Sequence, residues 1–223
     1  MIKVYSNLHC AFAANHLVQQ LQKLGHEAKI IEEWDVSDDS LHILYQVAHK
    51  WNMPKNYIVQ QTEPWNSHWF SDHYRDKVLK NALAVWEYNE DNFKGYDHPN
   101  KCTVSPGIFP KSHKTKDIGR LFYGHIEGSK NRRDSLEELQ KQYDIKLITD
   151  TTGPEMWKLL QRTRDVINIH YLPNSPLEWY RIYESISHGC RVWLHDEQCF
   201  VHDSWLTHDN LPQIKHGLSL VGL

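Results

Sequence analysis

Asp165-Val-Ile-Asn-Ile-His-Tyr171, then Leu172-Pro-Asn-Ser-Pro-Leu-Glu-Trp-Tyr-Arg-Ile-Tyr-Glu-Ser-Ile-Ser-His-Gly189 and Arg191-Val-Trp-Leu194, is the stretch whose reading decides the fold. A short apolar run is followed by a polar loop, an amphipathic helix stopped by glycine, and a second apolar run. That is the pattern of strand, helix and parallel strand. It sets Arg181 and Glu184 near a helix whose first amides face the loop. Unpaired N–H groups and the helix dipole make such an end a ready anion site. A purely structural helix on a sheet would explain the periodicity equally well. It would not explain two opposite charges and a Ser-Pro pair at that end.

Working outward, the same alternation runs through the chain. Residues 2–6 read as a strand, 11–24 as a helix spaced by Phe12, Leu17, Leu21 and Leu24, and 27–32 as a strand. Strands are expected at 41–47 and 57–61, although 40–50 reads equally as a helix. A helix capped by Ser71 covers 71–82, and extended segments cover 83–88 and 103–108. Lys111-Ser-His-Lys-Thr-Lys-Asp117 is charged, lacks apolar periodicity and follows Pro110, so it is the expected linker. Beyond it come a strand at 119–125, a helix at 132–143, a strand at 145–149 and a helix at 154–164. The tail from His195 reads as irregular, with a closing helix at 212–220. Strands alternating with helices in both halves predict an α/β protein of two parallel-sheet domains. Their expected spans are 1–110 and 111–205, with 206–223 as a tail that packs back on the first.

Composition sets bounds. With 25 basic and 28 acidic residues the formal charge is −3, so no global basic field draws the chain to nucleic acid or anionic membrane. Local basic stretches at 111–116 and 130–133 remain. Nine Trp, eleven Tyr and sixteen His are a high load of rings suited to sugars and bases, though also to a core. Four scattered cysteines in a chain this long imply free thiols and a reducing, cytoplasmic setting. No leader and no membrane span are expected. There is no Gly-x-Ser-x-Gly elbow and no Walker-type phosphate loop.

Residues 118–194 resemble the donor-binding unit of GT-B glycosyltransferases. Tyr5-Ser-Asn-Leu-His9 and Lys23-Leu-Gly-His26 resemble the family's first loop and first helix end. Gln60-Gln-Thr-Glu-Pro-Trp65 and Val85-Trp-Glu-Tyr-Asn89 resemble segments of short viral and bacterial members. The resemblance implies two Rossmann-like doubly wound domains facing a cleft, with ligands at the carboxyl ends of the strands. It implies a nucleoside-diphosphate sugar as donor substrate, no tightly bound cofactor, and an acceptor hydroxyl on a polysaccharide, a protein or a modified DNA base. The acidic charge counts against DNA. Retaining members carry two glutamates eight positions apart around this loop and helix. Glu184 matches the second, which receives the ribose hydroxyls. The first position holds Pro176, with Glu178 two places later, so the stereochemical outcome stays open.

Gly124-His-Ile-Glu-Gly-Ser-Lys-Asn-Arg-Arg133 is the other donor-side candidate. Its glycines let backbone approach a ligand, and Lys130, Arg132 and Arg133 can neutralise a diphosphate. A solvated basic turn opening a helix is the alternative. Arg181 is a further phosphate candidate, or the partner of Glu178 or Glu184 three residues away. Thr151, Tyr171, Ser175 and Glu178 are candidate sugar or base contacts. An inverting enzyme also needs a base for the acceptor hydroxyl. His9, in the loop after the first strand, and Glu63, beside Pro64-Trp65, are the candidates, with Asp72 and His73 behind them. His188, Cys190, His195, Cys199 and His202 are zinc-ligand types, but their spacing matches no compact finger, so no metal is expected. A module of the same fold that binds a nucleotide or partner without catalysis is the alternative function.

Overall fold

The computed structural model describes residues 1–110 and 115–223. The chain divides into two compact units, Met1–Gly107 with Asp209–Leu223, and Ile108–His208. Of the expected linker, 111–114 lies outside the described residues.

The first unit contains β1 (Ile2–Tyr5), α1 (Ala11–Lys23), β2 (Ala28–Ile31), β3 (Leu41–Tyr45), β4 (Tyr57–Gln60), a π-helix (Tyr74–Leu79), β5 (Ala84–Glu87), a 3-10 helix (Glu90–Gly95) and β6 (Lys101–Thr103). Its six strands stand in the order β2-β1-β3-β4-β5-β6, and every pairing is parallel. Parallel sheets are covered on both faces, which is why β4 and β5 are apolar runs buried at every position. The same burial decides the ambiguous segment after Ser40. His42 to Tyr45 are all nearly inaccessible between β1 and β4, so the strand wins over the helix. The expected strand at 103–108 lies earlier, at Lys101–Thr103. Pro106 has no N–H to give a ladder, and the Ser105 amide donates instead to the Gln213 side chain.

The second unit contains β7 (Ile118–Tyr123), α2 (Lys130–Gln140), β8 (Lys146–Ile148), α3 (Gly153–Leu160), β9 (Thr163–Asn168), α4 (Trp179–Ser187), β10 (Arg191–Leu194) and β11 (Cys199–Phe200). Its order is β11-β10-β9-β7-β8, parallel except for the β10–β11 hairpin. The sequence reading missed that hairpin, a strand of only two residues. α3 ends at Leu160, earlier than expected, where the Thr163 hydroxyl donates to the Leu159 carbonyl and the chain enters β9. The Ser-Pro pair does not open α4. Pro173 and Pro176 keep the loop extended, and the helix starts at Trp179 with Glu178 in the cap position.

The chain then adds α5 (Leu211–Ser219), which lies against β6 and α1 of the first unit. Gly217 is the close point of that contact. A Cβ there would meet the indole of the fully buried Trp86 at 2.5 Å. Gly217→Ala should therefore lose about 1–3 kcal/mol through overpacking, read as a lower urea midpoint at unchanged slope.

Candidate functional site

The second unit's sheet reverses its strand order at β7. From there the chain crosses to β8 on one side and to β9 on the other, so loops diverge at the carboxyl ends of β7 and β9. Gly124 follows β7 with φ +132°, and both guanidiniums of the site lie against it. A Cβ on Gly124 would meet Arg181 Nη2 at 2.6 Å and Arg132 Nη1 at 3.5 Å. Ser129 caps α2, its Oγ accepting from the Arg132 amide at 3.2 Å and donating to the Tyr171 carbonyl at 2.6 Å.

Arg132 is 3% exposed, and each of its three nitrogens donates once within the fold. Its Nε donates to the Ile169 carbonyl at 3.0 Å, Nη1 to the His125 carbonyl at 2.7 Å, and Nη2 to Glu178 Oε1 at 2.5 Å. Arg181 Nη1 lies 2.7 Å from Glu178 Oε2 and 3.2 Å from Asn168 Oδ1. Its guanidinium sits over the Tyr123 ring, 5.4 Å from the centroid. One carboxylate, Glu178, thus bridges two arginines.

The electrostatics follow from burial. Desolvation pushes the Glu178 carboxyl up, but Arg181 and Arg132 together bring it below the usual carboxylate range. Burial, then the charge of Arg181, lowers the Arg132 guanidinium to about 10. Glu184 goes the other way. Burial raises its carboxyl even though Trp157 Nε1 donates to Oε1 at 2.7 Å and the Tyr123 hydroxyl to Oε2 at 2.9 Å. Two guanidiniums thus face the single carboxylate of Glu178 at the amino end of α2, while Glu184 is turned to Trp157 and Tyr123. An anion with several oxygens is what such a place can hold.

The remaining donor-side candidates fall in different places. Lys130 pairs with Asp134 on the solvent side of α2, and Arg133 is exposed. Tyr171 stays with the site, its ring beneath Arg132 at 5.2 Å and its hydroxyl on the Glu127 carbonyl at 2.9 Å. Ser175 lies half-buried in the loop before α4. Thr151 belongs elsewhere, lining a depression of about 500 Å³ along α3 with Glu155, Lys158, Leu159 and Arg162. None of the site arginines borders that depression. Glu184 faces inward from α4, and a ribose hydroxyl would have to use the second lone pairs of its oxygens.

Asn168, which follows Val166-Ile167 at the end of β9, has no assigned role in the sequence; it is 1% exposed and its Nδ2 has no partner. Among the five zinc-type residues, His188 Nδ1 is spent on the Glu184 carbonyl and the Cys190 thiol on Leu160 and Thr163 carbonyls. Ligand-type atoms converge instead on His170, Asp196 and Glu197, where His170 Nε2 lies 3.0 Å from Glu197 Oε1. Asp196 there accepts from the His170 amide and from Asn131, which is a structural clamp on the hairpin.

In the first unit, His9 is exposed after β1, its amide on Asn7 Oδ1 at 3.1 Å. Glu63 follows β4 and is half-buried; desolvation pushes its carboxyl up to about 7. Glu87, at the end of β5, is fully buried. Asn92 Nδ2 at 3.1 Å and the Tyr96 hydroxyl at 2.9 Å donate to it, yet desolvation still raises it to about 8. Asn92 Nδ2 also donates to the Glu63 carbonyl, linking the two. Asp72 points to solvent beside Arg75, and His73 stacks on Trp51. A glutamate closing the otherwise apolar run Ala84–Glu87 is the sequence signal for this buried carboxyl.

No family model matches the sequence, and no curated protein matches it. Among solved structures, the chain is similar to the crystal structure of the glycosyltransferase TarM. Identity is 14% over 94% of this chain and 51% of TarM, with a TM-score of 0.40. The chain thus spans about half of TarM's length, and the likeness says nothing of a substrate.

Burial of Glu87 has a measurable consequence. Its folded value of about 8 stands above the ordinary 4.5, so between those values the folded state holds a proton the unfolded chain has released. Stability should fall as pH rises through that window, and Glu87→Gln should flatten the dependence. Urea midpoints across the range test this; a midpoint that rises with pH in the parent but not the variant would refute it.

Proposed function

We propose that this protein is a glycosyltransferase of the GT-B type that takes a sugar from a nucleoside-diphosphate donor. The reading rests on one observation: a buried and a half-buried guanidinium share a single ionised carboxylate against the bare backbone of Gly124, at the switch point of a parallel sheet. A buried charge excess calls for a counter-ion. A diphosphate supplies it, and its charge grows as the sugar departs, so Arg132 and Arg181 would favour the transition state over bound donor. Glu178 holds both guanidiniums in place. Tyr171, Ser175 and Glu184 would meet the sugar or ribose, and no tightly bound cofactor is needed.

In this reading Glu63 is the base that accepts the proton of the acceptor hydroxyl. A carboxyl brought to about 7 by desolvation suits that task better than an exposed imidazole such as His9. The acceptor itself is a hydroxyl compound other than DNA, given the acidic balance. Among the described residues no helix is long and apolar enough to cross a membrane, and the four cysteines are free. A cytoplasmic setting accords with both.

Pro176, standing where retaining relatives carry a glutamate, favours a second reading in which the fold binds nucleotide without transfer. Slow hydrolysis of donor in the absence of acceptor would exclude it.

A thermal-shift panel of nucleoside diphosphates and their sugars tests the proposal. At a hundred times its dissociation constant a ligand adds about 2.7 kcal/mol, an evident rise in Tm. One base should give that rise, and Arg181→Ala should abolish it. A panel with no shift in the parent protein overturns the reading. For transfer itself, the rate should climb as pH passes about 7 and lose that rise in Glu63→Gln.

A further inference from the structure

Of nine tryptophans, one loop cluster at the carboxyl end of the first unit's sheet exposes three: Trp51 at 76%, Trp65 at 43% and Trp69 at 49%. Large exposed rings lose hydrophobic stabilisation unless something covers them. One of these rings is held by another segment, and the backbone of a second is tied down. Trp51 stacks on His73 at 3.7 Å between centroids, and His73 Nε2 in turn meets the Lys50 carbonyl at 3.1 Å. The Trp65 amide donates to the buried Asn92 side chain at 3.0 Å. Trp69 lies 4.7 Å from the His68 ring. Asn92 also joins the Glu63 backbone carbonyl and the Glu87 carboxyl group to the same framework.

Charge selects among ligands that stack on indoles. From Asn56 to Tyr74 there is no lysine or arginine. On either side of that stretch Lys55 pairs with Asp39 and Arg75 with Asp72 and Asp76, and the Lys50 ammonium rests over the rings of Tyr5 and Trp34. A strand of nucleic acid or another polyphosphate needs cations along its track beside the stacking rings. This face has rings, amides and a carboxyl. A pyranose has a C–H face for an indole and hydroxyls for the rest.

We propose that the Trp51, Trp65 and Trp69 face binds a neutral oligosaccharide, which is the acceptor of the transfer reaction. Binding of the oligosaccharide stands on the geometry of this face; its role as acceptor rests on the glycosyltransferase reading above. Trp51, already stacked on His73, loses little freedom on contact, and each exposed indole offers a large apolar face.

The test titrates the full chain, by calorimetry, with neutral tetrasaccharides of glucose, mannose, galactose and N-acetylglucosamine, and with a short single-stranded oligonucleotide. At least one tetrasaccharide should bind. Trp51→Ala and Trp69→Ala should each weaken it about tenfold at unchanged Tm, with partial recovery in the Phe variants. The proposal is overturned if no tetrasaccharide binds, if binding ignores both substitutions, or if the oligonucleotide is the better ligand. Trp-dependent self-association of the chain, seen by sedimentation, would likewise overturn it. Nucleoside-diphosphate thermal shifts on the same proteins keep the two readings apart. A lost diphosphate shift with retained sugar binding sinks the donor reading alone, and the reverse sinks this one alone.

Discussion

A buried guanidinium must find its hydrogen-bond partners inside the fold, and Arg132 finds them in three separate segments. The loop after β7 gives the His125 carbonyl, the end of β9 gives Ile169, and the cap of α4 gives Glu178. Leaving any of its donors bare would cost more than the contact adds, so each segment is fixed by the needs of one side chain. Glu178 then reaches Arg181, and Arg181 leans on Tyr123 and Asn168. The divergence of loops at the switch point supplies room, and this arginine sets how the room is furnished.

Buried acids in this protein differ by what faces them, a guanidinium or a neutral donor. In the second unit guanidiniums keep Glu178 ionised. At the comparable end of the first unit there is no arginine beside Glu63 or Glu87, and their partners are neutral hydroxyl and amide groups. Neutral donors offset only part of the desolvation, so these carboxyls move toward the protonated form. Glu184, held by Trp157 and Tyr123 in the second unit, moves the same way.

The parallel strands were legible because burial on both faces writes continuous apolar runs such as Tyr57-Ile-Val and Leu121-Phe-Tyr. Boundaries slipped where local chemistry overrode periodicity, as at Pro106, at the Thr163 hydroxyl closing α3, and in the proline-bearing loop before Trp179. The β10–β11 hairpin left no pattern, since two residues cannot alternate. Arg132 and Arg181 were visible as cations near glycine and helix starts. Their sharing of Glu178 was not, because 46 residues separate Arg132 from that carboxylate in the chain. Lys130 shows the converse, a cation in the right stretch whose helical phase turns it toward Asp134 and solvent.

The first unit is discontinuous in sequence, with the whole of the second inserted between Gly107 and Asp209. During synthesis the strand bearing Trp86 is made early, but the helix that covers its indole follows the second unit out of the ribosome. At about 5–20 residues per second, that ring waits several seconds for its cover. The later-made unit is complete before the earlier one, so the nascent first unit carries an uncovered apolar face through most of translation.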